Sequence, residues 1–221
     1  MTVNGQGKRP ASERGGDRRG RGPRRRLLVA AATLLALLLA LGLAVRGSGG
    51  TAVAGAGRSA AVLAPVTGRA HGGMVDGIGS GGEQVAFHSH AHLAVFANGR
   101  RRTIPYGIGV VPPLVLTETA HGPFVADGAA FYWLHTHDTS GVIHVESPVL
   151  RTYTLGEFFD LWGEPLGRAQ VWSDRGRVTA LVDGTRFGGD PRDIRLGRHT
   201  VIQLDVGAVV PFHRYSFPAG L

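Results

Sequence analysis

Histidine is the residue type in this chain with the most chemistry to offer, and it is unevenly placed. All ten histidines lie after position 70, and six of them fall in two short segments. The first segment, FHSHAHL, sets His88, His90 and His92 two residues apart. In a β-strand, side chains at i, i+2 and i+4 leave the same face, so the three imidazoles point together. Adjacent members stand ~7 Å apart at their bases, a span that two imidazoles can close around one ion at about 2.0–2.1 Å from each nitrogen. The outer two are roughly twice as far apart, so one ion takes two ligands from a straight strand and the rest from elsewhere.

The second segment, FYWLHTHDTSGVIHVESP, covers residues 131–148. Reading Asp138–Gly141 as a four-residue hairpin loop sets 137 opposite 142, 136 opposite 143 and 135 opposite 144. One face then carries Trp133, His135, His137, Val142, His144 and Glu146, with His135 directly across from His144. The other face carries Leu134, Thr136, Ile143 and Val145, a consistent core side. Three imidazoles and a carboxylate therefore converge by parity alone. The expected metal ligands are His88, His90, His92, His135, His137, His144 and Glu146. His71, His121, His199 and His213 have no partner in sequence and read as ordinary polar residues.

The donor types narrow the ion. With no cysteine in the chain, thiolate sites, disulfides and a blue-copper centre are excluded. Met74 is the only methionine after the initiator, which leaves no thioether cluster for Cu(I). Imidazoles with an optional carboxylate suit Zn or Cu as divalent ions, with Fe or Mn less favoured partners of a set that includes Glu146. A metal-binding protein is the first reading. A metal-dependent enzyme of hydrolase or oxygenase type, using the same histidines with one coordination position open, is the second. An envelope interaction module whose histidines sense pH is the third. No nucleophile elbow, phosphate loop or paired-carboxylate motif is present, and Ser140 in DTSG is explained by turn chemistry.

The elements needed to hold these residues are β-like. Ala91–Ala97 runs into Asn98-Gly99 and then RRRTIP, and Val178–Val182 runs into Asp183-Gly184 and TRF; both predict hairpins with type I′ turns. His199–Val206 alternates, with Ile202, Leu204 and Val206 on one face. One helix is expected, opened by a capping box of Thr154 with Glu157, carrying Leu155, Phe158, Phe159 and Trp162 on one side and stopped by Gly163. The expected architecture is mainly β, α+β at the margin: an antiparallel β-sandwich or partial barrel with one short helix, over residues 83–221.

Charge organises the rest. Residues 1–26 contain nine basic residues against Glu13 and Asp17, whereas from residue 47 onward 14 basic and 14 acidic residues cancel. The folded part therefore lacks the cationic surface that nucleic-acid binding needs, and no nucleic-acid partner is expected. Leu27–Val45 is a run of 19 uncharged, mostly apolar residues, enough to cross a hydrocarbon core of about 30 Å. The arginines before it and the single Arg46 after it predict a single-pass plasma-membrane protein, N-terminus cytoplasmic and C-terminal domain outside. Ala52-Val53-Ala54 has the form of a signal-peptidase site, but the apolar run is longer than an ordinary signal core, so an uncleaved anchor is preferred. The expected organisation is a disordered basic tail at 1–26, an anchor at 27–46, a Gly/Ala-rich linker at 47–82 and the His-rich domain at 83–221.

Three segments together resemble a known family. HxHxHL (His88–Leu93), WLHTHDxSGxIHVExP (Trp133–Pro148) and TxGxFFDxWGxPL (Thr154–Leu166), with GDPRDIRLGRH at 189–199, resemble an uncharacterised bacterial and archaeal family of membrane-anchored, His-rich proteins. The resemblance implies the anchor and the histidine-rich outer domain. It implies no reaction.

Overall fold

The computed structural model describes residues 61–62, 70–83 and 86–221. The basic tail and the expected anchor at 27–46 lie outside these residues; no helix among the described residues is long and apolar enough to cross a membrane.

The chain is organised around one long strand, β1 (Phe87–Ala97), which is exposed at its start and buried at every residue from His90 to Ala97. Its odd positions Ala91, Leu93, Val95 and Ala97 are buried in the main apolar core. The other labelled elements are β2 (Arg100–Thr103), β3 (Val115–Thr119), β4 (Gly122–Asp127), β5 (Ala130–Tyr132), β6 (Leu134–His135), β7 (Val142–Ser147), α1 (Leu155–Trp162), β8 (Val178–Val182), β9 (Thr185–Phe187) and β10 (Val201–Val206). The first half of β1 pairs antiparallel with β7, which in turn pairs with β6; the second half pairs with β2 through a two-residue turn. On its other side β1 pairs with β10, followed by β8 and β9. The result is mainly β with one short helix, as expected.

Both type I′ hairpins form. Asn98 and Gly99 have φ of 49° and 76°, Asp183 and Gly184 of 51° and 83°, so both central residues of each turn are left-handed, as the strand twist requires. The expected all-antiparallel pairing does not hold: β10 runs parallel to β1, from Val201 beside His92 to Val206 beside Ala97. Most of the domain intervenes between these two strands, so the chain has ample length for the crossover a parallel pair needs.

Helix α1 starts at the Thr154–Glu157 capping box and ends at Gly163, whose φ is 88°. Eight residues are too few for a stable isolated helix. Burial decides the matter: Leu155, Phe158 and Phe159 are fully buried and Trp162 nearly so, each stabilising the fold by roughly 1.5–3 kcal/mol.

The linker boundary shifts. Ala70 and Ile78 are buried in the main core, Ser80–Gly81 pairs with β5, and the Tyr132 hydroxyl donates to the Gly73 carbonyl. Residues 70–82 thus belong to the folded domain although their composition reads as spacer. Gly79 is there for close approach: a Cβ would come within 2.7 Å of the Trp133 ring.

Candidate metal centre

Pairing places the two histidine segments on one sheet face. Between β1 and β7 the register sets His90 opposite His144, His88 opposite Glu146 and His92 opposite Val142. Between β7 and β6 it sets His144 opposite His135, the pairing expected from the loop length. Directly opposed residues share a face, so His90, His144 and His135 form a row across three strands, with His88 and Glu146 beside it. The core side is as expected, with Leu134, Thr136, Ile143 and Val145 all buried. The ladder stops after His135, short of the expected 136–143 and 137–142 pairs. Thr136 N–H donates to Ile108 O and His137 O accepts from Val125 N–H, drawing the chain toward β4.

Turn chemistry holds the loop between β6 and β7. The Asp138 carboxylate accepts from the Ser140 N–H at 2.9 Å and from the Ser140 hydroxyl at 2.5 Å, and the Ser140 Oγ accepts from the Val142 N–H. Gly141 then lets β7 dock: its φ is 91°, and a Cβ would lie 2.3 Å from Leu93 O. Gly141→Ala is expected to lower stability by about 2 kcal/mol or more from the left-handed backbone and the clash, read as a fall of roughly 5 °C or more in Tm. An unchanged Tm would show that β7 is not held by this approach.

The imidazoles are clamped from behind. His135 Nδ1 donates to Tyr132 O at 2.8 Å and His137 Nδ1 donates to Val125 O at 2.6 Å. A carbonyl only accepts, so both Nδ1 atoms carry hydrogen, and a ring of this tautomer presents its Nε2 lone pair to a metal. Those two Nε2 atoms lie 3.1 Å apart. Phe124 stacks on His137, and Phe131 lies against both rings. A second close pair is formed by His88 Nε2 and His90 Nε2 at 2.9 Å. Glu146 Oε1 is 3.1 Å from His88 Nε2, 3.3 Å from His144 Nδ1 and 4.0 Å from His135 Nε2.

Burial tunes these groups toward the ligand form. His135, fully buried, is driven well below its ordinary pKa by desolvation and then by neighbouring His144 and His137. His144 is lowered mainly by desolvation, against its bond to Glu146. Desolvation, with His144 and His88 nearby, takes His90 down to about 3. Burial alone would raise Glu146, but hydrogen bonds with His144 and His88 outweigh it and hold the carboxyl below its usual range. His88 is raised, chiefly by its hydrogen bond to Glu146.

His92 is not part of the assembly. It shares the face, but its Nε2 donates to Ser140 O at 3.1 Å and its ring stacks on Tyr215 at 3.8 Å. The C-terminal segment covers this end of the sheet, and His213 stacks on Phe96 in the same way. His199 stacks on Phe217, and His71 and His121 stand at the surface. Sequence reasoning missed one carboxylate: Glu83 Oε1 is 3.6 Å from His137 Nε2, and burial and Glu146 raise its pKa. A glycine-rich segment gave no strand parity by which to place it. Glu83 also lines a cavity of about 310 Å³ with Gly81, Gly82, Asp127 and Phe131; no histidine lines it, but Phe131 lies against the His135 and His137 rings.

Buried histidine groups able to hold a metal ion are therefore assembled: His88 with His90 and His144, and His135 with His137 and His144, the ligand atoms of each set lying within 4.8 Å of one another. Glu83, His135 and Glu146 form a third such set. No family model matches the chain, and neither a curated protein nor a solved structure matches it.

Proposed function

We propose that this is a membrane-anchored, extracytoplasmic protein that binds a divalent transition metal, Zn or Cu, through its multi-histidine centre. One observation carries the reading: two buried imidazoles, each fixed by a backbone carbonyl with its hydrogen on the far nitrogen, bring their Nε2 acceptor atoms within 3.1 Å of each other. Two lone pairs so close repel unless a cation lies between or beside them. A shared proton would put a full charge where burial and neighbouring His144 keep His135 neutral. Two nitrogens on one tetrahedral ion at about 2.05 Å stand about 3.3 Å apart, close to the spacing found. Backbone carbonyls behind ligating histidines are the usual orienting partners of such sites.

His135, His137 and His144 would hold the ion, with Glu146 or Glu83 supplying a carboxylate. The ion itself would supply Lewis acidity or a structural cross-link. The anchor and the outer location rest on the apolar run at 27–45 and the arginine asymmetry around it. The test is elemental analysis of the full chain, extracted and purified without a polyhistidine tag. Zn or Cu is expected at one equivalent or more, falling at least tenfold in occupancy at the inner set in His135→Ala with His137→Ala. A protein that takes up neither Zn(II) nor Cu(II) would remove the reading.

The cavity walled by Glu83, whose carboxylate is 3.6 Å from His137 Nε2, supports a second reading, a metal-dependent hydrolase or oxygenase with one coordination position left open to a small substrate. In the Co(II)-loaded full chain, azide should then shift the visible bands. Unshifted bands would favour a closed, non-catalytic site.

A further inference from the structure

We propose that the centre holds two divalent cations, one at each imidazole pair, with His144 between them, within reach of both pairs and able to ligate either one through its single free nitrogen. This rests on the metal-binding reading above and goes beyond it in number and arrangement. Two pairs of Nε2 atoms stand face to face, His88 with His90 at 2.9 Å and His135 with His137 at 3.1 Å. They flank β7: His90 opposes His144 from β1, and His135 opposes it from β6. Strands lie about 4.8 Å apart, so β1 and β6 are about 10 Å apart with the His144 strand between them. Ligands on one ion at about 2.1 Å cannot be more than about 4.2 Å from each other, and among the described residues no set of three or more ligand atoms within 4.8 Å joins a ring of one pair to a ring of the other, so one ion does not gather both pairs in this arrangement.

Ligand number points the same way. Five imidazoles and two carboxylates surround the space, and a tetrahedral ion takes four donors. A single ion at the inner pair would leave His90, 4 % exposed, buried against His88 with no role. Each pair also has its own carboxylate: Glu146 Oε1 lies 3.1 Å from His88 Nε2, and Glu83 Oε1 lies 3.6 Å from His137 Nε2. Two divalent ions thus meet two negative charges, which partly offset their repulsion. The sites differ in access, since the His88 side chain is 39 % exposed and that of His135 is fully buried. The outer ion is expected to bind more weakly and exchange faster.

The experiment is a Zn(II) titration of the tag-free full chain after chelation, followed by desalting and elemental analysis, with Tm recorded for every variant. Two equivalents are expected for the parent. His88→Ala with His90→Ala should retain one tight equivalent and a Tm close to that of the equally loaded parent. His135→Ala with His137→Ala should lose the tight equivalent and keep the weak one. A parent that binds one equivalent overturns the two-ion centre while leaving the metal-binding reading in place. A parent that binds none overturns both. Two equivalents surviving in the His88/His90 variant would place the second ion elsewhere and overturn the assignment. That variant decides the issue alone if the inner one fails to fold, because one of its two rings, His88, is partly exposed, and its recorded Tm shows whether the loss of buried His90 is tolerated.

Discussion

Removing metal from the full chain with a chelator at pH 7.5 is expected to lower its Tm by roughly 10 °C, and restoring Zn(II) in excess should recover the loss. A ligand that binds only the folded state adds stability of RT ln(1 + [L]/Kd), which is about 4 kcal/mol at a thousandfold excess over Kd. For a chain of this length that corresponds to roughly 2–4 °C per kcal/mol. The unfolded chain keeps HxHxH and HTH segments that retain some affinity, which trims the effect. The metal-free fold should persist, because its apolar core is built without the histidines: Leu93, Val95, Ile143, Phe158, Phe159 and Trp162 pack independently of them. A bound ion would relieve the close approach of His135 Nε2 and His137 Nε2. The same chelation applied to His135→Ala with His137→Ala should shift Tm by a few degrees at most. A parent whose Tm is indifferent to chelator and to added Zn(II) or Cu(II) would contradict a metal centre at these rings.

Parity and turn length made part of the site legible before any coordinates. A four-residue loop with a strand on each side fixes which residues oppose, so the His135–His144 pair and the position of Glu146 follow from DTSG alone. Turn dipeptides and a capping box are likewise local, and the two hairpins and α1 followed from them. The pairing of β7 with β1 is different in kind. It joins residues some fifty positions apart, and nothing local selects β1 over another strand as the neighbour. Parity also tells which face a side chain leaves, not what covers that face, so His92 looked equivalent to His88 and His90 until the C-terminal segment was seen to lie over it. Composition misled at residues 70–82, where glycine reads as flexibility. One isoleucine and a glycine pressed against Trp133 are enough to dock the segment, and they bring Glu83 to the site. The apolar run at 27–45 lies outside the described residues, and the anchor stays a proposal.

The metal-free chain is expected to lose stability steeply between pH 6.5 and 4, and His92→Phe is expected to abolish much of that loss. His92 is buried, its Nε2 hydrogen is held by Ser140 O, and its Nδ1 has no partner among the described residues. Protonating Nδ1 would add a charge and a donor with nothing to receive it. Burial accordingly takes its pKa down to about 4, against the backbone bond to Ser140 and with a smaller contribution from the nearby Arg101 charge. The sign follows from proton uptake. In the unfolded chain the ring titrates near 6.5, so below that pH the unfolded state binds a proton that the folded state refuses. Stability is complete above 6.5, falls as pH drops toward 4 and then levels, a loss on the order of 3 kcal/mol from this one residue. His90, His135 and His144 shift in the same direction and add to the acid loss. His88 is raised and works oppositely, favouring the fold at low pH and ceasing to do so as pH rises through its folded value. Phenylalanine keeps the stack on Tyr215, removes the orphan nitrogen and gives up one hydrogen bond of about 1 kcal/mol, so stability at pH 7.5 should change little. Urea midpoints at pH 7.5 and 4.5 compare the two chains, and the variant should retain about 2.5 kcal/mol more of its stability across that interval. Its metal content should equal the parent's, because His92 lies outside both imidazole sets. A variant with the parent's pH slope would show that His92 is hydrated or mobile enough to accept a proton, and a variant that loses metal would return His92 to the ligand set.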